Sequence, residues 1–329
     1  MSILVTGGTG LIGSNVARAL VDIGREVIIL DRQSFPSDIN NVLYDVSDKY
    51  KLVIGNVADL AYLLNIIKTY HVEGIIHLAT MAASAALEHP VEALQVNIIG
   101  AANMIEAARI MNLKRVILTS SASVYGAVEY TETPLREEDI ILPASGMYAL
   151  TKLTIEQLTY TYRELYGVDV VALRPGRTYG PGEGGHLIPH PIYKMVLSAV
   201  EGKPFRQSSG GDSAYEYSYV KDFARGAIQA YDCPRLNHHV YNLGFGGNRK
   251  MSDVAEILRN LFPNLTIELG PGLWPGSLPK GLQKDLVHRS TQRPPTDNTR
   301  ARKDFGYNSE WPIERAIPDW IKWLKQRVY

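Results

Sequence analysis

The sequence lacks the features that mark disulfide-rich, cysteine-zinc and membrane-spanning proteins. Its 329 residues include one cysteine, Cys233, so an intrachain disulfide is impossible and a zinc cluster is excluded. No apolar run reaches the roughly 18 residues that a spanning helix needs. Ser2–Thr6 leads straight into glycines, without the basic and apolar regions of a secretion signal. These absences predict a cytoplasmic protein with no membrane partner.

The chain also lacks an excess of charge of either sign. It has 34 basic and 34 acidic side chains, which gives a formal net charge of +0 at pH 7. A neutral balance gives no electrostatic reason to expect nucleic acid as a partner. With 45% hydrophobic and 21% charged residues, the composition is that of an ordinary globular protein, and a small molecule is the expected partner.

The first half of the chain alternates short apolar runs with helical patterns. Several of the runs are apolar at consecutive positions, as expected of strands that are covered on both faces. The predicted strands are Ile3–Val5, Glu26–Leu30, Lys51–Ile54, Gly74–Leu78, Arg115–Thr119 and Val168–Arg174. The predicted helices span residues 11–24, 59–70, 91–112 and 147–166. This alternation predicts an α/β fold with a Rossmann-type, doubly wound parallel sheet.

The pattern changes after Arg174, where turn-forming glycines and prolines begin. The second half predicts a strand at Tyr215–Val220, a helix near 221–231, a strand near 239–243 and a final helix near 312–327, with Trp320 and Trp323 facing inward. We expect residues 1–174 to form the Rossmann domain, with the segment 215–243 returning to it. Residues 175–329 are then mainly a smaller C-terminal substrate-binding domain.

Three glycines with the spacing Gly7-x-x-Gly10-x-x-Gly13 follow the first predicted strand and open the first helix. Gly7 permits a tight turn, Gly10 lets a pyrophosphate approach the backbone, and Gly13 lets the helix pack on the strand. The free N–H groups at the start of that helix, at Leu11 and Ile12, and its positive dipole attract phosphate. A tight strand–helix turn without a ligand is the alternative, but the flanking strand and helix favour a dinucleotide site.

An acidic residue, Asp31, ends the second predicted strand. A carboxylate there accepts hydrogen bonds from the adenosine ribose hydroxyls and repels a 2′-phosphate, which favours NAD over NADP. The neighbouring Arg32 could instead stack on adenine or bind that extra phosphate. Both residues are therefore predicted to contact the cofactor, with NAD as the preferred form.

Tyr148 and Lys152 stand four residues apart, on one face of a predicted helix. A free tyrosine has a pKa near ~10, too high for a base at neutral pH, and an adjacent ammonium stabilises the phenolate. A Tyr-x-x-x-Lys pair alone is common on solvated helix faces. Here it follows the serine-rich run Thr119–Gly126, which ends in Val-Tyr-Gly.

Together, the glycine motif, Asp31, the serine run and the Tyr-Lys pair resemble the extended short-chain dehydrogenase/reductase family, also called the NAD-dependent epimerase/dehydratase family. The resemblance covers nearly the whole chain. It implies an enzyme in which Ser121 polarises the reacting carbonyl and Tyr148 is the acid/base. It also implies that Lys152 holds the nicotinamide ribose and tunes Tyr148.

The resemblance also assigns binding residues and a quaternary structure. It implies adenine contacts from Asn56, where the family usually has aspartate, and from Val57. Its other implied cofactor contacts are Leu78, Ala79, Thr80, Asn97, Tyr148, Lys152 and Pro175. Its implied substrate contacts near the serine run are Met81, Ser121, Ser123 and Tyr148. It further implies a homodimer in which the helices 91–112 and 147–166 pair across the interface.

The second half departs from the nucleotide-sugar members of the family. Arg177 and His186 stand where asparagine is usual, and Tyr215 stands where an arginine binds the substrate diphosphate. Arg293 is a candidate for a second diphosphate-binding arginine. These departures favour relocated anion recognition, in which Arg177 and His186 bind a carboxylate. The alternatives are that Arg177 pairs with an acidic neighbour such as Glu183 and that His186 caps a turn.

The sequence therefore predicts an NAD-dependent oxidoreductase that oxidises a secondary alcohol of a small, polyhydroxylated, carboxylate-bearing, sugar-derived substrate. If the keto product leaves, the enzyme is a dehydrogenase. If it turns and takes hydride back on its other face, the same residues make a nucleotide-sugar epimerase that uses NAD transiently. A dehydratase usually has an acid/base pair after the serine, where this chain has Ala122-Ser123. A non-catalytic dinucleotide sensor is disfavoured because both Tyr148 and Lys152 are present.

Overall fold

In the computed structural model, the centre of the fold is a parallel sheet of seven strands. The strands in chain order are β1 (Ser2–Thr6), β2 (Glu26–Asp31), β3 (Tyr50–Ile54), β4 (Val72–His77), β5 (Arg115–Thr119), β6 (Val170–Pro175), β7 (Arg177–Tyr179), β8 (Phe205–Gln207), β9 (Ala214–Tyr215), β10 (Tyr217–Tyr219), β11 (Val240–Leu243), β12 (Arg249–Lys250) and β13 (Ile267–Leu269). The sheet has the spatial order β11-β6-β5-β4-β1-β2-β3, with every pair parallel. The order reverses between β1 and β4, so the carboxyl ends of these strands open a crevice. The predicted doubly wound fold is confirmed.

The structure describes residues 2–35, 42–126, 128, 131–140, 143–182, 190–274 and 293–326. The candidate substrate residue His186 and the acidic neighbour Glu183 lie outside these described residues. Among the residues described, no helix is both long enough and apolar enough to cross a membrane.

Helices cover both faces of the sheet. They are α1 (Leu11–Asp22), α2 (Leu60–Thr69), α3 (Ala83–Glu88), α4 (Pro90–Ala93), α5 (Gly100–Met111), α6 (Met147–Tyr166), α7 (Pro191–Val200), α8 (Val220–Asp232), α9 (Met251–Leu261), α10 (Thr299–Phe305) and α11 (Ile313–Lys325). Ile3 and Val5 of β1 pack in the cluster with α1 and α8, whereas Leu4 packs in the cluster with α2, α5 and α6. Because successive strand residues point to opposite faces, a strand buried on both sides has apolar residues at consecutive positions, as at Ile3–Val5.

The predicted helix 91–112 is a composite in the structure. A short α4 leads into a π-helical turn, Leu94–Ile99, and then into α5. A π turn inserts a residue and rotates the following side chains, and such turns are often found at functional sites. Here the turn places Asn97 fully inside the protein.

The predicted strand Tyr215–Val220 does not return to the large sheet, which corrects one part of the expected arrangement. Its residues form β9, which pairs antiparallel with β12, and β10, which pairs parallel with β7. Tyr215, Tyr217 and Tyr219 are all buried in the C-terminal cluster, so packing there decides their position. The rest of the segment does return, because α8 packs on α1 and β11 extends the sheet beside β6.

The C-terminal region has a hydrophobic cluster of its own, formed by α7, α9, α11 and the tyrosines of β7, β9 and β10. Trp320 is buried in this cluster and Trp323 is half-buried against it, as predicted. This cluster stands beside the carboxyl edge of the sheet, since β7 follows directly on β6.

Candidate functional site

The three glycines of the first turn differ in how much space surrounds each Cα. Gly7 has a φ of +67°, and a Cβ there would lie 2.5 Å from the backbone nitrogen of Ala79. A Cβ on Gly13 would lie 2.1 Å from the carbonyl oxygen of Gly7. At Gly10 the nearest atom would be 3.4 Å away, which is an ordinary contact. The protein's own packing therefore requires Gly7 and Gly13, whereas the space in front of Gly10 fits a ligand that approaches the backbone.

The start of α1 is suited to an anion. Gly10 is its N-cap and provides no side-chain cap, and the first turn contains no acidic residue. The N–H groups of the first turn, including those of Leu11 and Ile12, have no acceptor within their own helix. Together with the helix dipole, they can bind a pyrophosphate.

Asp31 is oriented toward the glycine turn by a set of hydrogen bonds. Its Oδ2 accepts from the backbone N–H of Thr9 at 3.0 Å and from the Thr9 hydroxyl at 2.7 Å. Its Oδ1 accepts from the backbone N–H of Arg32 at 2.7 Å. The Arg32 guanidinium is exposed and pairs with Glu92 at 3.4 Å. This geometry favours Asp31 over Arg32 as the group that meets an adenosine ribose.

The two residues expected at the adenine have different environments. Asn56 is exposed, and its Oδ1 accepts from the N–H of Ala58 at 2.9 Å, so its amide nitrogen remains available. Val57 is buried, and its carbonyl accepts from Asn103 at 3.1 Å. Their contact with adenine stays a prediction.

Asn97 links two parts of the site through its side chain. Its Oδ1 accepts from Thr80 Oγ1 at 3.1 Å and from the N–H of Met81 at 2.7 Å. Its Nδ2 donates to the Met81 carbonyl at 3.2 Å and to Thr151 Oγ1 at 3.0 Å. These four hydrogen bonds use the full capacity of the Asn97 amide. The side chain therefore holds the Thr80–Met81 loop against α6, and it would act on a cofactor through that loop.

Ser121, Tyr148 and Lys152 come together at the carboxyl end of β5. Ser121 begins a short 3₁₀ turn, where its Oγ accepts from the N–H of Ser123 at 3.1 Å. Burial raises the pKa of Tyr148, and a hydrogen bond with Ser121 opposes this rise. Lys152 Nζ lies 5.5 Å from the centre of the Tyr148 ring and donates to the Thr119 carbonyl at 2.7 Å. The arrangement fits a phenol that exchanges protons beside a hydroxyl and a cation.

Burial strongly affects the charge of Lys152. It is 2% exposed, and burial lowers its pKa to about 7, against an opposing effect of the Glu156 charge. Burial first, and the charge of Lys152 second, lower the pKa of His77 to about 3. His77 is therefore neutral at physiological pH, and the side chain that can place a positive charge next to the Tyr148 ring is Lys152, in its protonated form.

A cavity of about 60 Å³ lies between the 3₁₀ turn that follows Ser121 and the C-terminal region. Its lining includes Ala122, Arg177, Tyr215, Glu216 and Arg293. The Arg177 guanidinium lies 4.5 Å from the centre of the Tyr215 ring. The Ser123 hydroxyl nearby is buried and has no hydrogen-bond partner among the described residues.

The two arginines of the cavity are held without a carboxylate from the described ranges. Arg293 donates from Nε to the Gly126 carbonyl at 3.1 Å and from Nη1 to the Ala122 carbonyl at 3.0 Å. Burial first, and the charge of Arg177 second, lower the pKa of Arg293 to about 10. Two cations that repel each other favour an anionic ligand between them, and the carboxyl group of Glu216 in the same lining is the opposing group.

A family model described as the NAD dependent epimerase/dehydratase family matches residues 3–244. The chain belongs to this family. Its membership confirms the resemblance that the motifs indicated and makes the chain an enzyme that uses NAD. Which residues contact NAD and substrate remains a prediction for every position named above.

Curated relatives extend over nearly all of the chain. The UDP-glucuronate 4-epimerase of Thermodesulfobacterium geofontis is 27% identical over 333 residues, which cover 99% of this chain and 96% of the relative. UDP-glucuronate 4-epimerase 1 of Arabidopsis thaliana is 27% identical over 349 residues, which cover 98% of this chain and 76% of the relative.

Solved structures share the fold over its full length. UDP-glucose 4-epimerase of Thermotoga maritima, determined with UDP-glucose, superposes with a TM-score of 0.83 at 21% identity, covering 100% of both chains. UDP-glucose 4-epimerase of Thermus thermophilus, determined with NAD, gives a TM-score of 0.78 at 22% identity, covering 99% of both chains. These likenesses confirm the Rossmann-type fold of this family member.

For this family member we expect NAD⁺ to bind at least about tenfold more tightly than NADP⁺, because Asp31 would face the added phosphate. Calorimetric titration of both cofactors measures the preference. Asp31→Asn keeps the size of the side chain but removes its charge, and it should narrow the difference. Asp22→Asn, at an exposed carboxylate in the last turn of α1, is the control and should leave the preference unchanged. Equal or tighter NADP⁺ binding by the unmodified protein would contradict the assignment of Asp31.

Three features of the site were not predicted from the sequence. Thr9 orients Asp31, and the ion pair of Glu156 with Arg174 lies beneath Lys152. Glu216 lines the cavity, where burial raises its pKa to about 7 despite hydrogen bonds from Gly246 and Thr296. Two signals in the sequence were available. Glu216 lies between two tyrosines in a strand-like run, and Arg174 ends an apolar strand. Charged residues in such positions are rarely buried without partners.

Proposed function

We propose that this enzyme is an epimerase that inverts a hydroxyl-bearing carbon of a nucleotide-linked sugar acid, with NAD retained as a transient redox partner. The observation that supports this most is the position of Ser121, Tyr148 and Lys152 beside a cavity with two arginines, Arg177 and Arg293. In this proposal residues 1–174 and the returning segment from α8 to β11 bind NAD. The remainder, mainly within 175–329, binds the substrate.

The nicotinamide, when bound, supplies the acceptor and later the donor of a hydride. The oxygen of Tyr148 takes the proton of the substrate hydroxyl, as the hydrogen on the same carbon leaves with its electron pair. Ser121 donates a hydrogen bond to the carbonyl oxygen that results, and Lys152 favours the phenolate of Tyr148. Once the keto sugar has presented its other face, Tyr148 returns the proton to the same oxygen. No net oxidation results, and the configuration is inverted.

The relatives support the epimerase, which the sequence analysis kept as an alternative, better than the small-acid dehydrogenase that it placed first. The two curated relatives described above are both UDP-glucuronate 4-epimerases. A substrate of that chemistry has a diphosphate and a carboxylate, so it also accounts for the anion site predicted from Arg177. The dehydrogenase is retained as an outcome of the test.

We also propose that the enzyme is a homodimer. On α4, the π-helical turn, α5 and α6, several apolar side chains are exposed: Val91, Ile99, Ile110, Leu150, Leu165 and Tyr166. The two helices pack side by side, so these side chains could meet the same helices of a second copy around a twofold axis. Light scattering of the purified protein measures the state directly.

The experiment that tests the reaction uses the purified protein with NAD⁺ and, in separate incubations, UDP-glucuronate, UDP-glucose and free sugar acids. Epimerase activity appears as a stereoisomer of the nucleotide sugar in the NMR spectrum, without net formation of NADH. Accumulation of NADH with a keto product would show the dehydrogenase instead. Absence of both reactions on every compound would refute the proposed substrate class.

Arg177→Ala should weaken the binding of UDP-glucuronate at least about tenfold, because charge-assisted hydrogen bonds contribute roughly 1.5–3 kcal/mol. Calorimetry with UDP-glucuronate and UDP-glucose separates the two anions of the substrate. A loss confined to UDP-glucuronate assigns Arg177 to the carboxylate, whereas an equal loss for both assigns it to the diphosphate. Arg206→Ala, at an exposed arginine paired with Glu268, is the matched control. Unchanged affinity for both compounds in Arg177→Ala would remove Arg177 from the substrate site.

A further inference from the structure

A buried ion pair lies directly beneath the Tyr148–Lys152 face of α6. Arg174, at the end of β6, donates from Nε to Glu156 Oε1 and from Nη2 to Glu156 Oε2, each at 2.7 Å. The two side chains are 1% and 3% exposed. A bidentate pair with this burial has a fixed geometry, and it cannot exchange its partners for water.

Glu156 connects this pair to the strand end that bears the reactive serine. Ser120, the residue before Ser121, donates its hydroxyl proton to Glu156 Oε1. Thr119, one residue earlier, accepts from Lys152 through its carbonyl. The segment Thr119–Ser121 is therefore held to α6 at two successive residues, once by Lys152 and once by Glu156.

Arg174 extends the same network to the other side of the site. Its Nη1 donates to the Tyr125 hydroxyl at 2.9 Å and to the Glu137 carbonyl at 2.9 Å. Tyr125 in turn donates to Asn242 Oδ1 at 2.6 Å, at the carboxyl end of β11. Tyr125 thus ties the 3₁₀ turn after Ser121 to two neighbouring strands of the sheet, β6 and β11.

The position of Glu156 also matters for the charge of Lys152. The two residues are one helical turn apart, where side chains lie on the same face. The other groups near the ammonium are the Tyr148 ring, neutral His77 on β4 and, behind Glu156, Arg174 on β6. Glu156 is the negative charge among these described groups, and it acts on Lys152 by raising its pKa against the effect of burial.

We infer that Glu156, held by Arg174, is a positioning residue of the proposed reaction: it anchors the strand end that bears Ser121 and favours the charged form of Lys152 beside Tyr148. The inference rests on the proposed function for its role in turnover. Its effect on Lys152 is a property of the protein alone, and it can be measured without a substrate.

The test is a titration of Lys152 by NMR in protein labelled with ¹³C-lysine, with the signal assigned by its loss in Lys152→Arg. In Glu156→Gln the midpoint should fall by about one pH unit, since a carboxylate one turn away is replaced by a neutral amide. Glu156→Asp keeps the charge and should titrate like the unmodified protein. Asp169→Asn is the matched control, because it breaks the ion pair of another buried arginine, Arg115, at 2.6 Å.

Glu156→Gln leaves Arg174 as an unpaired buried charge, which can cause a folding defect, so the doubly neutral Glu156→Gln/Arg174→Gln is made alongside. In this double variant the titration midpoint of Lys152 should also fall. A Lys152 midpoint that does not move in whichever of these two variants folds would overturn the inference. So would an equal fall in Asp169→Asn, since that would make the effect a general result of losing an ion pair.

The pH dependence of turnover distinguishes a failure of this inference from a failure of the proposed function. If nucleotide-sugar epimerisation is observed, the alkaline limb of its pH profile should move down in Glu156→Gln together with the Lys152 midpoint. Activity that is lower by the same factor at every pH would indicate a structural role alone and would overturn the inference. A shifted Lys152 midpoint without epimerisation of any nucleotide sugar would refute the proposed function while supporting the effect of Glu156 on Lys152.

Discussion

Tyr148→Phe should reduce turnover by ~10²–10⁴-fold, the range expected when a positioned proton-transfer group is removed. The substitution removes one oxygen and leaves the ring in place against Lys152, so the fold and the NAD site should be retained. Turnover with saturating substrate and the Kd for NAD⁺ are the two quantities to measure. A Kd within a few-fold of the unmodified value, with turnover nearly lost, is the expected combination.

Tyr160→Phe is the matched control, because Tyr160 lies on the same helix and is exposed. It loses the same oxygen without access to the cavity, and its turnover should be normal. Turnover in Tyr148→Phe that remains close to that of Tyr160→Phe would mean that another group moves the proton. The proposed mechanism would then fail, even though the family and fold would stand.

Lys152→Met should reduce turnover by about 10²-fold or more and weaken NAD⁺ binding at least about tenfold. Lys152 is 2% exposed, and methionine fills much of the same volume without charge or hydrogen-bond donors, so collapse of a cavity is avoided. Both losses are expected because the proposed mechanism gives one ammonium two partners, the phenolate of Tyr148 and the ribose of the cofactor. Tyr148→Phe should affect turnover alone, so the two variants are distinguishable.

Stopped-flow binding of NAD⁺ and steady-state turnover give the two values for Lys152→Met. Lys68→Met, on the exposed side of α2, is the control and should change neither. Normal NAD⁺ affinity in a folded Lys152→Met would remove the ribose contact from the proposal. Normal turnover in Lys152→Met would show that the charge of Lys152 is not needed to stabilise the phenolate of Tyr148.

The parallel, doubly wound sheet and the glycine turn could be predicted because their signals lie in short stretches of the chain. The consecutive apolar residues of β1 and β2 showed strands that are covered on both faces, and Gly7-x-x-Gly10-x-x-Gly13 marked the turn between β1 and α1. The structure adds a distinction within the motif. Gly13 is required because its Cβ would meet the Gly7 carbonyl, which is a contact within the turn itself, whereas Gly10 has ordinary room.

Tertiary packing overrode local pattern at two places. The run Tyr215–Val220 has the composition of a strand, but three tyrosines on alternate positions are buried in the C-terminal cluster, so it pairs with β7 and β12 there. The helix predicted at 91–112 contains a π turn, because Asn97 turns inward to reach Met81 and Thr151. Neither partner can be read from the periodicity of the helix.

The sequence by itself determined the fold class and the family, because motif spacing and the order of elements are local properties of a chain. It also predicted the trio Ser121, Tyr148 and Lys152, whose catalytic role stays a prediction. Only the tertiary structure brought Arg177 and Arg293 to one cavity and placed Glu156 between Arg174 and Ser120. These groups are far apart along the chain, and their meeting depends on how β6 and the C-terminal region pack against the carboxyl edge of the sheet. Arg174, for example, has its partner, Glu156, 18 residues away along the chain, and only the packing of α6 on β6 brings the two side chains together.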